Sequence, residues 1–305
     1  MQPDVSVATQ TPESDLRIGF LGAGRMGHPM VINLARAGYG VTVYDPFAAP
    51  SAELERGGVT RVHDVRELAS TDYSISMLPN GPLTYDALFG IDSLFETPLT
   101  KNHTHIAMGT LGSVWAGALS EQCASKGIGF ADATVSGSVS MAESAQLSCM
   151  VGAEQDVFER IQPVLAAMSR TQFHVGRAGS GSTMKLAIAA LLAAVNQGIV
   201  ECLSLAESGG ISRELAYDVL SASAGASTYS GYKREAFLDP DGTPVAASVA
   251  IFAKDIALVE EEANALGLEL PVSRAASAVL RHALESGLGD RDLASIITLN
   301  SNSVY

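Results

Sequence analysis

The chain is poor in several residue types, and each shortage excludes a class of protein. Only three cysteines occur in 305 residues, they lie far apart, and none forms a C-x-x-C pair. This argues against a disulfide framework and fits a reducing compartment, so we expect a cytoplasmic protein. Lysine and arginine number 19 against 33 acidic residues, which gives a net charge of −14. Nucleic acid and anionic membrane surfaces are therefore poor partners.

The first fifteen residues lack basic side chains and the apolar stretch of a signal peptide. They carry Asp4, Glu13 and Asp15, and we expect a flexible tail here. The longest apolar run, residues 186–195, is too short to cross a bilayer, so we expect no membrane partner. Hydrophobic residues make up 47% of the chain, enough for a sizeable core, and the length suits two domains.

The most informative stretch is Gly22-Ala23-Gly24-Arg25-Met26-Gly27, which follows an apolar run and opens a helix-like segment. Asp45 comes 18 residues after Gly27, at the end of a second apolar run. This order of strand, glycine turn, helix, strand and acid is typical of a dinucleotide-binding unit. Gly22 permits the tight turn, and Gly24 lets the backbone approach a pyrophosphate at the helix N-terminus. A structural glycine turn in an unrelated βα unit is the alternative.

Asp45 bears on which dinucleotide binds. Its carboxylate can accept hydrogen bonds from the adenosine ribose hydroxyls, and its charge would repel a 2′-phosphate. Pro46 and Phe47 follow, so no adjacent arginine compensates, and we predict NAD rather than NADP. Arg25, inside the glycine loop, is the argument for NADP. A turn-initiating Asp before proline is the structural alternative.

Strand-like and helix-like segments alternate over residues 16–178, with strands predicted at 17–21, 40–44, 73–78, 104–108, 129–133, 147–151 and 172–175. This alternation predicts an α/β fold with a mostly parallel, doubly wound sheet. After a glycine-rich hinge at 176–181 the sequence predicts only helices, at 183–208, 213–222, 249–266, 272–286 and 292–299. The first of them is apolar nearly all round, so we expect it to be buried on most sides. An all-α domain over 179–305 therefore follows the sheet domain.

Polar and small residues follow several predicted strands. Leu78 and Pro79 end one strand and Thr110 ends the next, where the carboxyl ends of parallel strands line a cofactor crevice. Ser136 and Gly137 follow another strand and offer a hydroxyl and an approachable backbone N–H, which suit a carboxylate or oxyanion. Each of these segments, taken alone, is also an ordinary strand-to-loop turn.

Charged and ligating side chains give two further predictions. Lys185, on the first turn of the long helix, is either a snorkelling surface lysine or a partly desolvated amine suited to proton transfer. His103 and His105 alternate along a strand, but no third ligand is near, so we predict no metal site. Lys254-Asp255 lies inside a predicted helix, where such a pair is ordinarily solvated.

Taken in order, these motifs resemble the β-hydroxyacid dehydrogenases over roughly residues 17–300. The glycine motif continues through His28-Pro29-Met30, and the family's Met-Leu-Pro is Met77-Leu78-Pro79. Residues 132–138 are similar to the family's substrate motif, and residues 176–185 match its catalytic motif, G-x-x-G-x-G-x-x-x-K. The family's Lys-Asp pair is Lys254-Asp255 in this chain. The resemblance implies a Rossmann-type first domain and assigns roles to single residues. These are Lys185 as general acid/base, Ser136, Gly137 and Ser138 at the substrate, and Leu78, Pro79, Thr110 and Lys254 at the cofactor.

The departures from the family pattern are all expected around the substrate. Ala189 stands where an asparagine is usual, Ala107 and Gly109 replace the aspartate and serine of Asp-x-Ser-Thr, and Ser138 replaces a glycine. We infer a non-standard substrate that is bulkier or more apolar than those of the family.

The resemblance implies an NAD(P)-dependent oxidoreductase that transfers a hydride between nicotinamide and a small β-hydroxy acid or semialdehyde. An imine or ketone reductase on the same scaffold is the alternative, which the altered substrate positions favour and the lysine opposes. A non-catalytic NAD-binding module is a further alternative. The apolar helical half predicts a homodimer.

Overall fold

The structure is a computed structural model that describes residues 16–48 and 51–301. The flexible tail predicted for residues 1–15 lies outside the described residues. The chain divides into two compact units, one ending at Lys185 and one beginning at Leu186. The division falls within a long helix that begins in the first unit and continues into the second.

The first unit is built on one eight-stranded sheet in the order β3-β2-β1-β4-β5-β6-β7-β8. Neighbouring strands from β3 to β6 are parallel, β7 is antiparallel to β6, and β8 is parallel to β7. The strands are β1 (Arg17–Leu21), β2 (Gly40–Tyr44), β3 (Thr60–Val62), β4 (Tyr73–Ser76), β5 (Thr104–Ala107), β6 (Gly129–Ser136), β7 (Leu147–Ala153) and β8 (Ser169–Gly176). The predicted α/β class is confirmed, although the sequence analysis missed the three-residue β3.

Both faces of this sheet are covered. Phe20 and Ile106 belong to one buried cluster, and Leu21 and Ala107, the next residues along the same strands, belong to another. Alternate strand residues point to opposite faces, so the sheet has a core on each side. The helices of this unit are α1 (Gly27–Arg36), α2 (Ala52–Arg56), α3 (Gly81–Phe89), α4 (Ser113–Ser125), α5 (Val139–Glu143) and α6 (Gln155–Ala166).

The second unit, from Leu186 to the last described residue, contains helices and no strand. The long α7 (Ser180–Ser208) enters it, and Leu186, Ala193 and Leu203 pack into its core. The other helices are α8 (Arg213–Ala222), α9 (Thr228–Leu238), α10 (Val249–Leu266), α11 (Pro271–Glu285) and α12 (Ile297–Ser301). The helix predicted for 292–299 is a 3-10 turn, Leu293–Ile296, followed by α12.

Helix α7 is exposed along one stripe. Met184, Leu191 and Leu205 lie on that stripe and are 38%, 57% and 77% exposed in the single chain. The uninterrupted apolar run 186–195 is too short to cross a membrane. The whole of α7 is, by length and composition alone, long and apolar enough to do so. The core helix of a soluble protein can meet the same criterion. The residues of α7 that lie off the exposed stripe are buried or half-buried, as expected for a helix covered on most sides.

Candidate active site

The glycine loop joins β1 to α1 and contacts the ends of two neighbouring strands. The Gly22 N–H donates to the Tyr44 carbonyl at 3.0 Å, at the end of β2. Gly22 has φ +92°, and a Cβ there would lie 2.6 Å from the carbonyl oxygen of Met77, just beyond β4. Any other residue would be strained and would collide with this backbone. The loop is therefore held at the edge where the parallel strands end.

The residues of this loop fit the pyrophosphate of a dinucleotide. A Cβ at Gly24 would meet nothing within 4 Å, so the backbone faces open space. Met26, the N-cap of α1, makes no side-chain cap bond, and the first turn of α1 holds no acid. By contrast, the Asn80 side chain caps α3 by accepting from the Leu83 N–H. A helix start without a capping side chain leaves its positive end available to an anion.

Asp45 joins the glycine loop to the loop that follows β2. Its Oδ2 accepts from the Ala23 N–H at 2.8 Å, and its Oδ1 accepts from the Phe47 and Ala48 N–H groups at 2.9 and 3.0 Å. Three of roughly four acceptor positions of the carboxylate are thus used by backbone. Arg61 of β3 donates to the carbonyls of Asp45 and Ala48. Arg61 lies 16 residues after Asp45 in the chain, and the pairing of β3 with β2 brings the two together. Since β3 was not predicted, this arginine was not expected beside Asp45.

The ends of β4 and β5 lie against each other. The carbonyl oxygen of Leu78 packs so closely on Gly109 that no Cβ fits between them. A serine, the residue usual in the family, is sterically excluded here in this backbone arrangement. Thr110 follows at the carboxyl end of β5, and Pro79 at the carboxyl end of β4. The predicted cofactor contacts Leu78, Pro79 and Thr110 are thereby brought to the same edge as the glycine loop.

The predicted substrate residues follow β6, the next strand along that edge. Ser136 ends β6, and Gly137 comes directly after it with φ +143°. Ser138 has a structural partner, because its hydroxyl accepts from the Met141 N–H at 3.3 Å as the N-cap of α5. The Ser138 Oγ also lies 2.8 Å from the Ser140 Oγ. The predicted substrate contact of Ser138 stays a prediction.

Lys185 lies on α7 just after the turn that packs against β6. Gly181 is pressed between β6 and β7, since a Cβ there would lie 2.5 Å from the Asp132 carbonyl oxygen and 2.6 Å from that of Met150. The Thr134 hydroxyl donates to the Gly181 carbonyl at 2.9 Å. Lys185 follows four residues later and is half-buried. The start of α7 is therefore fixed against the strand that ends at Ser136.

Asp132, the first residue of the segment 132–138 that is similar to the family's substrate motif, had no role assigned from the sequence. It lies within β6, is fully buried, and accepts from the Gly179 N–H at 2.8 Å and the Ser182 N–H at 2.6 Å. Burial raises the pKa of its carboxyl to about 6, although both backbone N–H bonds act to lower it. The available signal was a charged residue inside a buried strand, which is costly unless it has partners.

The predicted site residues of the second unit lie on α10 and α7. The Lys254 Nζ lies 2.8 Å from Asp255 Oδ1, and the Lys254 side chain is more exposed than that of Asp255. Ala189, at the position of the family's asparagine, is buried in the core of the second unit.

The two strand histidines form a buried hydrogen-bonded chain with serines of β4. His103 Nδ1 lies 3.0 Å from the Thr71 carbonyl, so it carries the proton, and Nε2 accepts from the Ser74 hydroxyl. Ser74 then accepts from His105 Nδ1, and His105 Nε2 accepts from the Ser76 hydroxyl. This single proton order keeps both rings neutral. Within residues 16–48 and 51–301, no three His, Cys, Asp or Glu side chains form a possible metal-binding group.

Comparison with known proteins agrees with this arrangement. Residues 17–176 match the family model described as the NAD binding domain of 6-phosphogluconate dehydrogenase. Residues 179–300 match the family model described as NAD-binding of NADP-dependent 3-hydroxyisobutyrate dehydrogenase.

Full-length relatives and solved structures are similar throughout. The 2-(hydroxymethyl)glutarate dehydrogenase of Eubacterium barkeri is 29% identical over 287 residues, 93% of this chain and 95% of the relative. The NAD-dependent L-serine dehydrogenase of Pseudomonas aeruginosa is 28% identical over 297 residues, 92% of this chain and 96% of the relative. A crystal structure of 3-hydroxyisobutyrate dehydrogenase from Salmonella typhimurium has a TM-score of 0.85 at 26% identity, covering 93% of this chain and all of that one.

A Rossmann-type domain with an open glycine loop, followed by a helical domain, defines the class of an NAD(P)-dependent oxidoreductase. Since the first family model alone spans more than half of the 305 residues, the match identifies the family as well. The chain belongs to the β-hydroxyacid dehydrogenase family.

Proposed function

We propose that this protein transfers a hydride between NAD(P) and a small β-hydroxy acid or its semialdehyde, with Lys185 as the general acid/base. The observation that carries the proposal is the anchoring of the first turn of α7 to β6. That strand ends at Ser136 on the same sheet edge as the glycine loop. The relatives named above for serine, 2-(hydroxymethyl)glutarate and 3-hydroxyisobutyrate all bear β-hydroxy acid names, which supports the substrate class.

Each residue has a distinct task in this proposal. The bound nicotinamide supplies the carbon that accepts or donates the hydride. In oxidation the Lys185 amine takes the proton of the substrate hydroxyl, and in reduction its ammonium returns a proton to the carbonyl oxygen. The Ser136 hydroxyl and the Gly137 N–H donate to the substrate carboxylate, and Thr110 and Lys254 contact the cofactor. Orientation of the substrate by these donors supplies a large share of the rate.

Replacing Lys185 with alanine tests the central role. We expect K185A to lower kcat by about 10²–10⁴-fold, the range of general acid/base catalysis, while NAD(P) binding is retained. Cofactor binding is measured by protein fluorescence and folding by thermal unfolding. Lys101→Ala, at an exposed loop lysine, is the control and should leave kcat unchanged. Turnover of K185A at the wild-type rate would refute the assignment.

The altered substrate positions favour a larger or more apolar substrate. Gly109 lacks the family's serine hydroxyl, and Leu78 packs closely against this position. Ala189 packs in the core of the second unit and carries no argument about the substrate. The test is a panel of β-hydroxy acids and semialdehydes of increasing size, with a cyclic imine beside them. Higher kcat/KM for the bulkier hydroxy acids supports the proposal. Turnover of the imine alone would support the reductase alternative instead.

For the cofactor, we propose NAD rather than NADP. The Asp45 carboxylate supports this choice, because its charge opposes a 2′-phosphate. The guanidinium of Arg61 is the feature that opposes it, since it lies beside Asp45. The ratio of kcat/KM with the two cofactors tests the preference. Asp45→Asn should shift that ratio toward NADP, and a wild-type ratio that favours NADP would overturn the proposal.

We also infer a homodimer that covers the exposed face of α7. Met184, Leu191 and Leu205 are spaced by multiples of seven and so lie on one side of the helix. Light scattering should give twice the chain mass, and Leu191→Glu should give monomers. Leu266→Glu, at an exposed leucine on α10, is the matched control. Cytoplasmic location and the absence of nucleic-acid and membrane partners remain predictions.

A further inference from the structure

We propose that Asp132 is a positioning residue for Lys185: its ionised carboxylate holds the first turn of α7 against β6, and protonation loosens that turn. The inference rests on the proposed role of Lys185 as general acid/base. Asp132 itself acts on the backbone of α7 and is not assigned any contact with substrate or cofactor.

The geometry is that of a helix start capped from a distant strand. Asp132 lies 47 and 50 residues before Gly179 and Ser182, and each of its carboxylate oxygens accepts one of their N–H groups, at 2.8 and 2.6 Å. The nearby Thr134 hydroxyl binds the Gly181 carbonyl. Lys185 is three residues beyond Ser182, within one helical turn of these bonds.

The ionised carboxyl is the stronger acceptor for both bonds. An ionised carboxylate is purely an acceptor, whereas the protonated form carries an O–H donor on one oxygen. Protonation removes the charge and makes the hydroxyl oxygen a poorer acceptor, so one of the two bonds to α7 is weakened. Burial places the pKa of Asp132 at about 6, so this change falls close to neutral pH.

Among residues 16–48 and 51–301, no charged side chain contributes to the pKa of Asp132. Its neighbour on β5 is Ala107, its neighbour on β7 is Gly152, and Gly179 and Ser182 face it from the α7 segment. Along that segment the charged residues are Arg177, which is 88% exposed and lies 3.8 Å from Glu154, and Lys185. The pKa of the carboxyl is therefore governed by burial, by backbone N–H groups and by the Ser182 side chain.

Titration of Asp132 and titration of Lys185 are expected to lower kcat at opposite ends of the pH range. In the reduction direction Lys185 must donate a proton, so its own titration removes activity only as pH rises. A loss of kcat as pH falls through about 6 would instead report Asp132. A displacement of about 1 Å at a catalytic group can cost about 100-fold in rate, so a loosened turn is expected to affect kcat strongly.

Asp132→Asn is the decisive variant because it keeps the shape and retains only one acceptor oxygen. With an aldehyde substrate, wild-type kcat should rise to a plateau as pH passes about 6. D132N should have a kcat about 100-fold below that plateau at every pH from 5 to 7.5, with KM within about twofold of wild type.

Thr134→Val is the matched control, because it removes an anchoring bond of the same turn that does not titrate. It should lower kcat by about fivefold, the value of one neutral hydrogen bond, and keep the acid limb. An acid limb that persists in D132N, or D132N with wild-type kcat, would overturn the proposal.

A second measurement separates this proposal from the proposed function. The amide proton NMR shifts of Gly179 and Ser182 report the carboxyl whether or not a substrate is turned over. In the wild type both should titrate together near pH 6, and they should not titrate in D132N. Shifts that are constant from pH 4.5 to 7.5 in the wild type would overturn the Asp132 proposal. Absence of turnover of every hydroxy acid and semialdehyde, with titrating shifts, would overturn the proposed function and the positioning role together.

Discussion

The two units each bury a carboxylate at the start of a helical segment, and they compensate its charge differently. Asp132 in the first unit receives two backbone N–H groups, and no cation contributes to its pKa. Asp292 in the second unit receives the N–H of Ala294 and the ammonium of Lys233, whose Nζ lies 2.7 and 2.8 Å from its two oxygens. Lys233 and Asp292 are almost fully buried.

This difference sets the opposite behaviour of the two acids. Burial raises the pKa of both carboxyls, and for Asp132 it prevails. For Asp292 the Lys233 ammonium and the backbone N–H groups outweigh burial, so its pKa lies below the ordinary value. A buried acid with a buried cation is thus a fixed structural element at neutral pH, whereas the buried acid without a cation has a pKa of about 6.

The largest expected effect comes from breaking the ion pair. Lys233→Met leaves a buried carboxylate without its cation and should lower the free energy of unfolding by about 3–5 kcal/mol at pH 7. Urea denaturation of the full chain measures it. The double variant K233M/D292N should recover part of the loss because no charge is left unpaired.

An exposed ion pair provides the control for this comparison. Arg274→Ala removes the partner of Glu269 at a site where both side chains are more than two-thirds exposed. The cost should stay within about 1 kcal/mol. A K233M loss of the same small size would mean that burial of the pair does not matter.

The second effect concerns the sign of the stability change at Asp132. The pKa of Asp132 in the folded protein is raised to about 6, so protonation of this carboxyl stabilises the fold. This stabilisation is complete below the pKa that the carboxyl has in the unfolded chain, and it is lost as pH rises through about 6. The amide in D132N does not titrate. The free energy of unfolding of D132N, measured relative to that of wild type, should therefore increase by about 2–3 kcal/mol from pH 4 to pH 7. Denaturant midpoints at the two pH values measure this gain. A D132N protein that loses stability relative to wild type on the same rise would show that the carboxylate is not penalised by burial.

The third effect uses the histidine chain, which belongs to the first unit. Burial, together with the neighbouring His103, lowers the pKa of His105 to about 3. A base whose pKa is lower in the folded protein than in the unfolded chain stabilises the fold above the unfolded-chain pKa. This stabilisation is lost as pH falls, and for His105 the loss is about 2 kcal/mol at pH 5. His105→Gln should flatten the pH dependence of the unfolding free energy between pH 7 and pH 5. The exposed His63→Gln should leave that slope unchanged, and an equal slope in all three proteins would contradict the expectation.

Much of the cofactor edge could be predicted from local sequence. The glycine loop, Asp45, Pro79 and Thr110 follow short apolar strands, and parallel strands end at one edge by geometry. Helix α9 escaped prediction because its buried face contains Lys233, which a hydropathy pattern interprets as solvent-facing. The partner that makes this burial tolerable is Asp292, 59 residues away. Arg61 was overlooked for a similar reason, since β3 is too short to recognise alone.

The sequence by itself determined the class of fold, the dinucleotide loop and the place of Lys185, because these depend on turns, periodicity and residues close together in the chain. Only the tertiary structure decided the state of the buried charges. Asp132 became a titratable cap and Asp292 a fixed ion pair through partners 47 to 59 residues away. Desolvation and such through-space contacts set a pKa, and neither is encoded in the residues next to a carboxyl in the chain.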